Sequence, residues 1–161
     1  MPLEPTALAD LYRRHAAALR LYARQWGSLA EDLVQAAFVR LAQQSPPPER
    51  PLPWLYCVVR TEALSAHRAA TRRRRREERS GKTEVWFDPT DDRIDAADVA
   101  AALAELPLEL REVIVARLWG GLGFEDMAAL VGCSLPTAHR RYQAGLARLR
   151  ERFHQPCPPT T

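Results

Sequence analysis

Gly132-Cys133-Ser134-Leu135-Pro136 limits what this chain can become more than any other stretch, because it ends one amphipathic helix and begins another. Upstream, Phe124, Met127, Ala128 and Val131 recur at i, i+3, i+4, i+7, one face of a short helix. Gly132 stops that helix, since glycine takes the left-handed cap conformation without steric cost. Ser134 restarts the chain as an N-cap, and Pro136 falls in the first turn, where its missing N–H does no harm. In the helix that follows, Ala138, Tyr142, Gly145 and Leu149 make the inward stripe. Two helices joined by so short a turn form a helix-turn-helix, whose second helix commonly enters the DNA major groove.

On that second helix Arg140 lies almost opposite the inward stripe, flanked by Thr137, Gln143 and Ala144, with His139 and Arg141 toward the sides. Arginine can bind guanine O6 and N7 bidentately, and glutamine can bind adenine N6 and N7. In an isolated helix Arg140, Arg141 and Arg148 would read as a solvated face. The glycine-serine junction and the helix before it favour DNA.

No run of alternating Val, Ile and Thr suggests a sheet, so the 161 residues are expected to be all helical, in one domain or two small ones. Charge is unevenly placed. Residues 1–80 carry 14 Lys and Arg against 8 Asp and Glu, residues 81–98 carry 2 against 6, and residues 99–161 carry 7 against 6. A basic front half points to a polyanionic partner. The amphipathic, charged start is unlike a signal peptide, and no apolar run reaches membrane-spanning length. Cys57, Cys133 and Cys157 are odd in number and lack metal-ligand spacing. Two of them are expected on apolar helical faces, as small core residues in a reducing, cytoplasmic location.

Taken in order, Thr6 is expected to cap a first helix carrying the seam Leu8, Tyr12, His15, Leu19, Tyr22 and Trp26. His15 reads as a core or boundary residue, since no second ligand accompanies it. Gly27 ends this helix, and Ser28 with Glu31 reads as a capping box for the next, whose inward face is Leu33, Val34, Phe38 and Leu41. Pro46, Pro47 and Pro48 stop it. From Trp54 a helix runs from an apolar start through Arg60, Thr61, His67 and Arg68 into five consecutive arginines, Arg72 to Arg76. Such a run cannot be core, and phosphate contacts by it would make binding strongly salt-dependent. Gly81, Pro89 and the acids Asp88, Asp91, Asp92 and Asp95 mark a flexible linker, in which Trp86 and Phe87 are aromatic exceptions able to dock on a domain. Helical periodicity returns at Ala96, with Val99, Leu103 and Leu106, then past Pro107 with Leu110, Val113, Ile114 and Leu118. The last residues, from Gln155, read as a loose tail.

With these residues in hand, the chain resembles the small two-domain sigma factors of bacterial RNA polymerase, the extracytoplasmic-function group of the sigma-70 family. Ala30 to Leu41, followed by Trp54-Leu55 and the arginine-rich helix, is similar to sigma region 2. Leu103 to Ile114, Gly121 to Ala128 and Thr137 to Arg141 are similar to region 4. The resemblance implies a region 2-like domain over residues 1–79, a linker over 80–95, a region 4-like helix-turn-helix over 96–154 and a tail over 155–161. It further implies that Asp32, Gln35 and Phe38 dock on the clamp helices of the polymerase largest subunit. Trp54, Arg60, Thr61, Ser65, His67, Arg68, Arg72 and Arg73 would open and read the −10 element. Ser134, Pro136, Thr137, His139, Arg140, Arg141 and Gln143 would read the −35 element. Partners would be core RNA polymerase, promoter DNA and an anti-sigma factor, with no cofactor, no metal, no membrane and no small-molecule substrate. The protein would not be an enzyme.

The chain departs from the family pattern at several positions. Thr61 and Ser65 stand where Asn and Asp are usual, Ala36 where an acid is common, Ala144 for a frequent Arg and Gly145 for a common Ala. The chain also starts late for the family, which shortens the expected first helix. These departures imply a divergent member, with unusual promoter choice or weakened activity. Three other readings stay open at the level of the residues, one of them a pure protein-interaction module descended from a sigma factor, which the departures at Thr61 and Ser65 keep alive. A stand-alone helix-turn-helix regulator explains residues 107–153 but not Ala30 to Leu41 or Trp54 to Arg76. An enzyme using Cys133 and His139 would lack a third orienting group and a phosphate-binding glycine loop.

Overall fold

The computed structural model describes residues 1–77 and 94–154, with the side chains of 77 and 94–97 left aside. The expected linker body with Trp86, Phe87, Asp88, Asp91 and Asp92, the side chain of Asp95, and the tail with Cys157 lie outside the described residues. The described residues are seven α-helices and one short 3-10 turn, with no strand among them, as periodicity predicts. The chain divides into two compact units, Met1–Trp86 and Phe87–Thr161. Among the described residues no helix is long and apolar enough to cross a membrane.

The first unit is built from α1 (Pro5–Ala23), α2 (Ala30–Gln43) and α3 (Pro51–Glu77), which pack on one another pairwise. The seam of α1 deepens along its length: Leu8, Tyr12 and His15 are half-buried, and Leu19, Tyr22 and Trp26 are buried. Tyr22 meets Trp26 and Tyr56 edge-on, with ring centroids 5.2 and 5.0 Å apart. Tyr12 meets Phe38 in the same way at 5.0 Å. Around these rings Leu19, Val34, Leu41, Leu55 and Val59 are fully buried. Each such side chain contributes about 1.5–3 kcal/mol of transfer free energy.

Two expected caps are not formed. The N-cap of α1 is Glu4, with Pro5 at the first helical position, so Thr6 lies inside the helix. The N-cap of α2 is Leu29, not Ser28, and it makes no side-chain cap bond. Starting one residue later moves Glu31 out of the position from which it could reach back to Ser28. Its carboxylate instead sits 4.0 Å from Arg20. Gly27 ends the 3-10 turn Arg24–Trp26 with φ +146°, a conformation that suits glycine. The helix expected from Trp54 begins at Pro51, with both flanking prolines in its first turn. Cys57 is exposed rather than a core residue.

The second unit is built from α4 (Ile94–Glu105), α5 (Leu108–Leu118), α6 (Phe124–Val131) and α7 (Leu135–His154). Helix α7 is its scaffold, packing on α4, α5 and α6. Pro107 separates α4 from α5 by acting as the N-cap of the latter. Val113 and Ile114 are fully buried as expected, but Leu118 is 51% exposed. The chain turns away at Gly121, with φ +67°, and Leu122 takes the core place, its N–H donating to the Ala116 carbonyl at 3.1 Å.

Candidate polymerase and promoter interfaces

The helix-turn-helix forms as its junction demands. Gly132 adopts φ +71° and ψ +38° and closes α6 with its N–H on the Ala128 carbonyl. Ser134 Oγ then accepts the N–H of Thr137 at 3.3 Å, an N-cap bond at the start of α7. Ala138 and Gly145 are buried and Tyr142 and Leu149 half-buried, so the expected inward stripe holds. On the opposite side Ser134, Pro136, His139, Arg140, Gln143 and Ala144 are exposed. Thr137 and Arg141 are half-buried. Arg141 leans back toward α5, 3.8 Å from the Glu109 carboxylate.

Two residues that the periodicity assigned no part in this face support it. Phe124, at the start of α6, stacks on His139 with centroids 3.8 Å apart and planes at 21°. The guanidinium of Arg117 lies 5.0 Å from the same ring, a cation–π contact, and donates to the Leu122 carbonyl at 2.9 Å. Phe124 also meets Tyr142 edge-on at 5.4 Å. The wheel of α7 alone could not reveal this, because the contacts cross from one helix to the next.

Helix α3 carries a second face. Trp54, Thr61, Ser65, Arg68 and Arg72 recur on one side of it by the 3.6-residue repeat, with Cys57 among them. All but the half-buried Trp54 are exposed, opposite the buried Leu55, Tyr56, Val59 and Ala63. Thr61 donates to the Cys57 carbonyl at 2.9 Å, a local bond that satisfies its hydroxyl within the helix. Arg60 and His67 lie on one flank and Arg73 on the other. The Nδ1–H of His67 donates to the Trp26 carbonyl at 3.1 Å, so Nε2 is the ring nitrogen that can be offered outward.

A third face lies on α2. Asp32 and Gln35 are exposed, and Ala36 and Val39 complete their stripe at i+4 and i+7 from Asp32. Phe38 takes the inward place its periodicity gives it, not the exposed docking place the resemblance implies: it is 6% exposed and packs against Tyr12, so it holds the helix from inside. Val39, 56% exposed, and Leu29, 53% exposed at the N-cap, are the apolar surfaces this face offers. The spacing from Asp32 to Val39 was legible in the sequence.

Family comparisons give these faces a setting. Residues 11–73 match the model of sigma-70 region 2, and residues 96–149 match that of sigma-70 region 4. The chain is 32% identical over 157 residues to the RNA polymerase sigma factor CarQ of Myxococcus xanthus, covering 90% of this chain and 88% of that one. It belongs to the sigma-70 family, in its extracytoplasmic-function group. The extracytoplasmic-function sigma factor EcfG of Rhodopseudomonas palustris (strain TIE-1) is 31% identical over 126 residues, covering 74% of this chain and 68% of its own. Among solved structures, the sigma factor RpoE in complex with the anti-sigma factor NepR from Bartonella quintana matches with TM-score 0.78 and 27% identity, over 96% of this chain and 100% of that one. CnrH in complex with the cytosolic domain of CnrY matches with TM-score 0.60 and 25% identity, over 93% and 89%.

This sigma factor therefore has both conserved regions in order, and a stand-alone helix-turn-helix regulator leaves its region 2 match unexplained. As a sigma factor it binds core RNA polymerase and directs promoter recognition and transcription initiation.

Proposed function

We propose a division of labour among the three faces. The exposed stripe of α2, with Asp32 and Gln35, docks on the clamp helices of the polymerase largest subunit, while Phe38 supports it from the core. The α3 face of Trp54, Thr61, Ser65, Arg68 and Arg72, flanked by Arg60, His67 and Arg73, opens and reads the −10 element. The α7 face of Ser134, Pro136, Thr137, His139, Arg140, Arg141 and Gln143 reads the −35 element. The observation that carries this reading is the pairing of a basic, exposed α3 stripe with an exposed α7 arginine in one sigma-70 chain. A basic groove with stacking groups is what capture of a single strand needs.

Region 2 acts through residues 1–79 and region 4 through 96–154, with 80–95 joining them and 155–161 as a tail. The protein works in the cytoplasm, where polymerase and promoter are, and its role involves no covalent chemistry. An anti-sigma factor is a further partner, a reading supported by the similar structure of RpoE, which is in complex with the anti-sigma factor NepR. Thr61 and Ser65 replace the usual amides and acids with hydroxyls, so the −10 preference differs from the family's common one. Run-off transcription by core polymerase and this protein on genomic fragments tests the proposal. Discrete starts with shared −10 and −35 sequences are expected, and initiation indistinguishable from core alone would refute it.

A further inference from the structure

Three side chains at the start of α7, the exposed Ser134 and Arg140 and the half-buried Thr137, form a chain of hydrogen bonds. Ser134 Oγ and Thr137 Oγ1 are 2.8 Å apart, and Arg140 Nη2 donates to Thr137 Oγ1 at 3.1 Å. Ser134 Oγ also accepts the backbone N–H of Thr137 at 3.3 Å. The spacing is three residues at each step, so each side chain neighbours the next along the helix. Arginine has many rotamers, and holding one of them in solution ordinarily costs rotamer freedom at the moment of binding.

We propose that Thr137 is a positioning residue: its hydroxyl holds the Arg140 guanidinium in place before DNA arrives. This rests on the reading of α7 as the −35 helix. A threonine hydroxyl has one donor and two acceptor positions. Oγ1 accepts from Arg140 on one side and is tied to the cap oxygen of Ser134 on the other. Thr137 is itself β-branched and half-buried, so its χ1 is restricted and the anchor is stiff. Arginine has five N–H donors in a planar fork, so one bond to Thr137 leaves donors for a guanine edge. Two hydroxyl protons serve Ser134 and Thr137, and their mutual bond uses one. Whichever way it points, the other proton can be given to a phosphate oxygen. The helix cap, the positioning strut and a backbone contact are thus one unit, and specificity at the base contacted by Arg140 depends on a residue that need not touch that base.

The test uses the full chain and a duplex DNA pool randomised over one helical turn, with bound molecules sequenced to give base preference by position. Wild type, R140A, T137V and T137S are compared. T137V is expected to lose about tenfold in discrimination at the same base position as R140A, and T137S to keep the wild-type preference. A merely structural role would not single out that position, nor be rescued by serine. T137V retaining full preference where R140A loses it overturns the strut and leaves Arg140 as the reader. T137S failing like T137V overturns it as well. R140A with an unchanged profile overturns both this inference and the assignment of Arg140.

Discussion

A methyl group added at Gly145 would lie 2.8 Å from Cγ1 of the fully buried Ile114, closer than real side chains approach. On sequence alone this glycine reads only as a loss of about 1 kcal/mol of helix propensity relative to alanine. Packing gives it a purpose: α7 and α5 approach too closely for a side chain between them. G145A gains that propensity but overpacks the core, which costs about 1–3 kcal/mol, so a net loss near 1 kcal/mol is expected. Hydrogen-exchange protection of the α7 amides measures it, and protection equal to or above wild type would contradict the close approach. Arg140→Ala should weaken −35 binding by about 1–3 kcal/mol if it removes a base contact, as footprint titration would reveal; an unchanged footprint rules that contact out. His15 responds to pH. Burial, then the neighbouring charge of Arg14, lower its pKa below the ordinary 6.5. The unfolded chain therefore binds the proton more readily, so stability is full above pH 6.5 and falls as pH drops through the lowered value. An NMR titration of the ring should show a midpoint below 6.5, and one at or above it would contradict this.

At the scale of single helices, the buried faces were legible, as were the ends at Gly132 and Ser134, but not the starts of α1 and α2. Periodicity placed Leu19, Tyr22, Val34, Leu41, Val113 and Ile114 inside because a helix repeats its face at fixed spacing whatever it packs against. Caps depend on one residue's dihedral angles, which is why the cap expected at Thr6 and the box expected at Ser28 fell two positions and one position from the actual N-caps, Glu4 and Leu29. Leu118 was misplaced for a related reason, since the glycine turn hands its core position to Leu122. The α2 face has its own test. Asp32→Ala with Gln35→Ala should lower affinity for core polymerase about tenfold or more while helicity stays intact, because both side chains are exposed. Val39→Asp, which puts a charge on the apolar end of the same stripe, should do the same. Phe38→Ala should instead destabilise the first unit by about 3–5 kcal/mol, a core cost visible in a melt without polymerase.

For the whole molecule, composition already separated a basic front half from the rest, and the order of the two motifs made the family visible. Contacts between elements, such as Phe124 on His139 and His67 on the Trp26 carbonyl, could not be read from any single helix pattern. The arginine-rich end of α3 predicts that promoter binding falls steeply with salt, with the slope of log affinity against log salt reduced by about one for each phosphate contact removed, as in R72A or R73A. The most direct test of the chain's role is size-exclusion co-elution of the purified protein with core RNA polymerase from its own host at moderate salt. A stoichiometric complex, lost when Asp32 and Gln35 are replaced together, is the expected result. No complex, from protein that still shifts duplex DNA, would contradict the sigma-factor role and leave a helix-turn-helix binder whose α2 is an ordinary packing helix.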